Sequence, residues 1–255
     1  MDWVAVASGF GIGAIVGLTG VGGGSLMTPL LLGVFKLNPA VAIGTDLWFA
    51  ATTKLAGAGA HHGQGQVDWR ITRRLLAGSV PATLATVAWL HATGGGAVAM
   101  HTLTFGLGVA LLLTALALAF KKHWQGAGLR LARHLPGHRL TAATVLAGAT
   151  LGVLVTLTSI GAGALGAMLI LLLYPALPAQ RLVGTDIAHA VPLTLLAAVG
   201  HASLGHVHWG LLAYLLLGSI PGIWLGSRLS RSLPERLVRA LLCASLVTAG
   251  LKVIT

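Results

Sequence analysis

Long runs of mostly apolar residues are the feature of this sequence that most restricts its possible folds. Four such runs cover residues 98–120, 140–157, 210–229 and 237–251. A helix needs about 20 mostly apolar residues to cross the hydrocarbon core of a bilayer, and these runs approach or reach that length. Charged residues make up only 8% of the chain, against about 25% in a typical soluble domain. The sequence therefore predicts an all-α, multi-pass membrane protein of the cell inner membrane.

The chain carries a strong positive charge, +11 at neutral pH. We attribute this charge to membrane topology and not to nucleic-acid binding. The basic residues lie in short segments between apolar runs, where Lys and Arg favour the cytoplasmic side of a membrane. The segment 121–139 contains no acid and five basic residues: Lys121, Lys122, Arg130, Arg133 and Arg139. We expect it to be a basic cytoplasmic linker, and we expect no nucleic-acid partner.

An internal duplication divides the chain into two transmembrane repeats, 1–120 and 140–255. A shift of 140 residues aligns Gly-Thr-Asp at 44–46 with 184–186 and Gly-Ser-x-Pro at 78–81 with 218–221. The same shift pairs His61 with His201 and Trp69 with Trp209, and a shift of 139 pairs Gly22 with Gly161, Gly24 with Gly163 and Pro39 with Pro178. Abundant Gly and Ala cannot produce ordered matches of Asp, His, Trp and Pro. The two halves are therefore predicted to share one fold.

The distribution of basic residues predicts that the two repeats have opposite orientations in the membrane. Arg70, Arg73 and Arg74 follow the first half's 62–69 loop, whereas the equivalent 203–209 loop has no Lys or Arg. At the other end of the repeats the asymmetry is reversed. The 92–97 loop of the first half is uncharged, whereas its counterpart in the second half carries Arg228, Arg231, Arg236 and Arg239. Oppositely oriented repeats are a recurrent plan of secondary transporters. We expect both termini to lie outside.

Inversion of the second half requires an odd number of membrane crossings in each half. Only three helices follow each opening region: 40–61, 71–91 and 98–120, then 181–202, 210–229 and 236–253. Each opening region must therefore contribute an even number of crossings. The opening regions, 3–35 and 140–174, are too long for one helix and are interrupted by glycine. We predict broken pairs over 3–19 and 24–35, and over 140–158 and 164–174. Each pair either crosses twice or forms a re-entrant hairpin.

The two glycine-rich breaks are the first candidate substrate site. Irregular backbone at membrane depth persists where it lines a cavity or is buried in protein. A helix that restarts after the break presents free N–H groups and a positive dipole end, which suit an anion. The alternative is a flexible hinge or a packing seam of small residues. The candidate residues are Thr19, Gly20, Gly22, Gly23, Gly24 and Ser25 in the first break and Thr158, Ser159, Gly161 and Gly163 in the second.

The second candidate site is the duplicated Gly-Thr-Asp motif, with Thr45 and Asp46 in one half and Thr185 and Asp186 in the other. These are two of only five acids, and both lie among apolar residues, where ionisable groups are costly and usually functional. The alternative is that Asp caps a broken helix. Lys54 follows Asp46 by eight residues, about 80° around a helix. It either pairs with Asp46, snorkels to the interface or attracts an anion.

Histidines supply a possible proton relay through His61, His189 and His201, because imidazole titrates near neutral pH. The alternative is that those near helix ends are solvated. His206 and His208 lack the further ligands that a zinc site requires. There is no P-loop motif. We expect no metal, no cofactor and no enzymatic activity.

The glycine break at 22–24, the twin Gly-Thr-Asp segments and the paired Gly-Ser-x-Pro turns resemble the sulfite exporter TauE/SafE family over essentially the whole chain. That resemblance implies a secondary transporter for a small sulfur-containing anion, such as sulfite or an organosulfonate, driven by an ion gradient. The glycine breaks and Gly-Thr-Asp segments would line its path, with protons or Na⁺ as coupling ion and a homodimer as one possible assembly. The alternatives are an anion channel, or a membrane enzyme or subunit that does not transport.

Overall fold

The computed structural model describes residues 2–19, 24–63, 65–94, 96–132, 135, 137–229, 243–244 and 246–251, and ten α-helices are defined within the part up to residue 229. Residues 243–244 and 246–251 are helical as well. No strand occurs in these ranges, so the prediction of an all-α fold is confirmed. The helices that correspond to predicted spans lie within a few residues of them, whereas most of the predicted span 236–253 lies outside the described residues. The ten helices are α1 (Trp3–Thr19), α2 (Gly24–Gly33), α3 (Pro39–Gly63), α4 (Trp69–Ala92), α5 (Ala97–Ala119), α6 (Lys121–Ala132), α7 (Gly137–Thr158), α8 (Ala164–Leu173), α9 (Ala179–Ser203) and α10 (Trp209–Leu229).

Five helices among the described residues are long and apolar enough to cross a membrane. α1 and α8 are shorter apolar helices. The five spans are Trp69–Ala92, Val98–Ala119, Gly137–Thr158, Ala179–Ser203 and Trp209–Gly226. Helix α6 was not predicted, because the linker was analysed only for its charge. It packs along α8, where a Cβ on Gly128 would lie 2.9 Å from the Leu172 carbonyl oxygen.

Helix α8 folds back along α7, so the second broken pair is a hairpin. Leu165 at the start of α8 shares an apolar cluster with Val155 near the end of α7. Leu173 at the end of α8 shares another cluster with Leu140 near the start of α7. The segment 140–174 thus reverses direction at the break. That it makes no net crossing of the membrane, as the parity argument requires, stays a prediction.

Each half contributes one helix to each of two equivalent interfaces, α1 with α10 and α4 with α7. Glycine removes the side chain where backbones touch. A Cβ on Gly9 would lie 2.2 Å from the Leu215 carbonyl oxygen, and one on Gly148 would lie 2.1 Å from that of Leu75. Gly9 aligns with Gly148 and Leu215 with Leu75 in the repeat, so these contacts are copies of each other. The predicted duplication thus appears as duplicated packing between the halves.

The equivalent helices α3 and α9 pack against each other at the centre and run antiparallel. The start of α3 meets the chain just beyond α9, since a Cβ on Gly44 would lie 1.9 Å from the His206 carbonyl oxygen. The start of α9 meets the chain just beyond α3, since a Cβ on Gly184 would lie 2.3 Å from the Gln66 carbonyl oxygen. Each half thus makes the same contact to the other half. The inverted arrangement of the two repeats in the bilayer stays a prediction.

Candidate functional site

The two Gly-Thr-Asp acids lie inside continuous helices and are deeply buried. Asp46 is 0% exposed and Asp186 is 5% exposed. Helix α3 begins at Pro39 and α9 at Ala179, so neither acid caps a break in its own helix. Capping of a neighbouring broken helix stays a prediction, because Asp46 lies beside α2 and Asp186 beside the first turn of α8. Asp46 accepts a hydrogen bond from the Thr28 hydroxyl of α2.

Lys54 joins the two halves at this site. Its side chain is 9% exposed, which excludes snorkelling to the interface. The ammonium donates a hydrogen bond to the Ala162 carbonyl oxygen, in the break of the other half. It is also close enough to interact electrostatically with both Asp46 and Asp186. The repeat places Thr194 at the position equivalent to Lys54, so this cation has no symmetry mate.

The second break is a defined backbone structure that aims a carbonyl at Lys54. Ser159, Gly161 and Gly163 have φ angles of 59°, 119° and 137°, and glycine tolerates such values most easily. The Thr158 hydroxyl accepts a hydrogen bond from the Ile160 amide at 3.1 Å and donates to the Leu154 carbonyl at 2.6 Å. Thr158 therefore holds the break together.

Three buried oxygens in this region have no hydrogen-bond partner among the described residues: Asp46 Oδ1, Asp186 Oδ1 and Ser159 Oγ. Ser159 faces the Asp46 carboxylate without forming a hydrogen bond to it. Buried polar groups in native structures are almost always paired. Three unpaired oxygens around one buried ammonium are the arrangement expected of a site that takes up a ligand or a proton.

The motif threonines bind the loops of the opposite half. Thr45 Oγ1 accepts a hydrogen bond from the His208 amide at 3.0 Å. Thr185 Oγ1 accepts one from the Asp68 amide at 2.9 Å. Asp68 and His208 are equivalent positions in the repeat, so the two contacts form a symmetric pair. We call them the two latches. They close the ends of α3 and α9 beside the buried acids.

The histidines occupy separate places. His189 Nε2 lies 3.0 Å from Ser79 Oγ, and the His189 ring interacts electrostatically with Lys54. His201 Nε2 lies 2.9 Å from the Thr156 carbonyl oxygen, and its Nδ1 lies 3.4 Å from His206 Nδ1. Burial lowers the pKa of His206 in the loop after α9, and the nearby His91 lowers it further. A proton relay through His189 and His201 stays a prediction, and the His61 side chain lies outside the described residues.

Part of the predicted site lies outside the described residues. Gly20, Gly22 and Gly23 lie outside the described residues, as do the side chains of Thr19 and Ser25, whereas Gly24 is the first residue of α2. Sequence analysis missed Thr28 and Ser79. A hydroxyl in the middle of the apolar helix α2 was the available signal for Thr28. The duplicated Gly-Ser-x-Pro motif was the signal for Ser79.

Comparison with known proteins now gives the family. The model of the sulfite exporter TauE/SafE family matches residues 5–253. This chain belongs to the TauE/SafE family. The probable membrane transporter protein YjnA of Bacillus subtilis (strain 168) is 38% identical over 98% of both chains. The probable membrane transporter protein YdhB of the same strain is 26% identical over 95% of this chain and 96% of the relative. A probable membrane transporter protein of Xylella fastidiosa (strain Temecula1 / ATCC 700964) is 27% identical over 90% of this chain and 85% of the relative.

No solved structure matches the chain significantly. The family and these relatives are described as transporters and not as enzymes. Together with the apolar helices, they show that this TauE/SafE protein is a multi-pass membrane transporter. The resemblance inferred from the sequence motifs is thereby confirmed.

Proposed function

We propose that this TauE/SafE protein is an ion-gradient-driven secondary carrier in the cell inner membrane, and that its cargo is sulfite or an organosulfonate. These anions share a compact –SO₃ head that accepts hydrogen bonds and carries negative charge. The observation that carries the proposal is Lys54, a buried ammonium beside the break at 159–163. A desolvated cation binds an oxyanion more strongly than an exposed one, since little water competes for it.

Groups around Lys54 complement an anion. The Ser159 hydroxyl is buried and unpaired among the described residues. Helix α8 begins at Ala164, directly after the break, and its N-terminal end adds partial positive charge. An incoming –SO₃ head would need to displace the Ala162 carbonyl oxygen, to which Lys54 donates a hydrogen bond in this structure. The cluster thus offers a cation, a hydroxyl and a helix end together.

The two latches support a carrier in preference to a channel. Both are closed in this structure, and the acids and Lys54 between them are buried. A site sealed at both ends and flanked by equivalent elements suits alternating opening of one end at a time. The antiparallel packing of α3 and α9 supports the inverted arrangement that such a cycle uses.

The test is uptake of radiolabelled sulfite, sulfoacetate and taurine into proteoliposomes, together with thermal stabilisation of the purified protein by the same panel. We expect Lys54→Met to weaken binding about tenfold or more, because a hydrogen bond to a charged group is worth about 1.5–3 kcal/mol. Lys54→Arg should retain part of the binding. Lys36→Met, in the turn after α2 and away from the cluster, is the matched control.

A carrier should also show counterflow, in which unlabelled internal anion drives accumulation of labelled external anion. A channel dissipates gradients and shows no counterflow. Absence of binding and transport for every member of the panel would refute the proposed cargo. Transport without counterflow would favour the channel.

A further inference from the structure

The two repeat-equivalent acids have different surroundings. The Asp46 carboxylate accepts a hydrogen bond from the Thr28 hydroxyl. The 139-residue shift places Ala167 at the position equivalent to Thr28, so the second half supplies a methyl group where the first supplies a donor. Asp186 Oδ1 has no hydrogen-bond partner among the described residues. Symmetry therefore fails at the acids, and Asp186 is the less stabilised of the two.

Helix α8 leaves room for the unpaired oxygen of Asp186. A Cβ on Gly166 would lie 2.1 Å from Asp186 Oδ1. The equivalent position in the first half is Met27, a fully buried side chain. Asp186 is 5% exposed and Asp46 is 0% exposed. The absence of a side chain at Gly166 thus lets Asp186 Oδ1 pack against the backbone of α8, where it is buried without a hydrogen-bond partner among the described residues.

Few charged groups face Asp186. Among the described residues, Lys54 of α3 interacts electrostatically with Asp186, and His189 lies one turn along α9 with its Nε2 at 3.0 Å from Ser79 Oγ of α4. Helix α8 has no titratable residue. The charged residues on the adjoining helices point elsewhere: Arg74 donates to Tyr174 Oη at 3.3 Å, and Arg70, Arg73, Arg139 and Arg181 are exposed. Lys54 is therefore the cation on which the ionised form of Asp186 depends.

We propose that Asp186 is a proton-binding site that takes up one proton when an –SO₃ anion binds Lys54. This inference rests on the proposed function. The incoming anion engages the ammonium and places negative charge beside the carboxylate. Asp186 then has neither a neighbouring cation nor a hydrogen-bond donor. The ionised form of a buried carboxyl group in that environment is strongly disfavoured. A proton from the open side binds Asp186 Oδ1, and both proton and anion leave when the other latch opens.

A proton fits this position better than a metal cation. The Lys54 ammonium already faces both carboxylates and would repel a second fixed cation. Because the binding of the proton and the binding of the anion are thermodynamically linked, each must increase the affinity for the other by the same factor. With one proton per anion, the anion's affinity should increase by up to about tenfold for each unit of pH decrease.

Proton uptake is measured by adding methanesulfonate, which does not titrate near neutral pH, to the weakly buffered full-length protein with a pH indicator. We expect about one proton per bound anion in the wild type and in Asp2→Asn, the control acid at the exposed start of the chain. Asp186→Asn should take up none and should lose the pH dependence of binding. Proton uptake that persists in Asp186→Asn would overturn the inference.

A second measurement needs no cargo. Lys54→Met imitates the loss of the cation, so a protonated carboxyl should give an infrared C=O band in this variant at neutral pH. The band should vanish in Lys54→Met/Asp186→Asn and persist in Lys54→Met/Asp46→Asn. A missing band, or one that follows Asp46, would overturn the proton site even if sulfonates are transported. Failure of every anion to bind, with the band present, would refute only the proposed cargo.

Discussion

The break between α7 and α8 depends on single residues held in unusual backbone conformations. Ser159, Gly161 and Gly163 all have φ between 59° and 137°, and such conformations cost about 1–3 kcal/mol each for a residue with a side chain. The Thr158 hydroxyl opposes this cost by bonding to both sides of the turn. The resulting geometry directs the Ala162 carbonyl to Lys54 and places the Ser159 hydroxyl near Asp46.

Gly163→Ala should distort the break. At φ 137° an added Cβ is strained whatever space surrounds it, so we expect a loss of about 1–3 kcal/mol in stability and a marked loss of transport. Thermal unfolding in detergent and proteoliposome uptake are the measurements. Gly126→Ala is the matched control, because a Cβ there meets no atom within 4 Å. If Gly163→Ala transported normally, the glycine would be a packing residue only.

At the scale of helices and loops, each half closes one end of the other. The loop after α3 bonds to Thr185 of α9, and the loop after α9 bonds to Thr45 of α3. Gly44 and Gly184 allow the loop carbonyls of His206 and Gln66 to approach, since a Cβ at either glycine would overlap the carbonyl oxygen. One hydrogen bond contributes only about 0.5–1.5 kcal/mol. The two latches can therefore open separately at modest cost.

Thr45→Val and Thr185→Val should each loosen one latch while keeping the side-chain shape. Loss of about 0.5–1.5 kcal/mol would raise the open population about two- to tenfold. The measurement is labelling of Ser159→Cys, in a Cys243→Ser background, by a membrane-impermeant thiol reagent added to either side. Thr45→Val should speed labelling from the 204–208 side and Thr185→Val from the 65–68 side. Thr52→Ala, on the exposed face of α3, is the control. Equal effects of both variants on both sides would contradict independent latches.

The whole molecule is organised by repeat-equivalent helices. α1 packs on α10 as α7 packs on α4, and α3 and α9 are antiparallel at the centre. Neither half forms these interfaces alone, because each interface takes one helix from each half. Charge adds an orientation to this arrangement. The basic residues of 121–139 favour the cytoplasm, and the opposite loops carry few charges.

Topology is testable by cysteine labelling of intact cells in a Cys243→Ser background. We expect an impermeant maleimide to label Asp2→Cys and a cysteine added at the C-terminus, but to leave Gly126→Cys unlabelled. Permeabilised cells should show labelling at all three positions, which controls for accessibility. Labelling of Gly126→Cys on the same side as the termini would refute the inverted arrangement.

Local features of the sequence were sufficient to predict most of the helices. Hydropathy located the spans, and glycine located the break that ends α7, because both signals act within a few turns of chain. The duplication and the family followed from motif order. Close backbone contact between helices, as seen between α4 and α7, could also be anticipated, since stripes of small residues favour such contacts.

The composition of the site was decided by the tertiary structure. Lys54 meets the Ala162 carbonyl across 108 residues of sequence, and the motif threonines bond to loops of the opposite half. The sequence by itself showed that Asp46 and Asp186 are equivalent, and it suggested capping as one role. Packing of α2 against α3 and of α8 against α9 made them unequal, with a hydroxyl beside one and a bare glycine beside the other. Hydropathy and repeats act along the chain, whereas partners of buried polar atoms depend on which helices pack together.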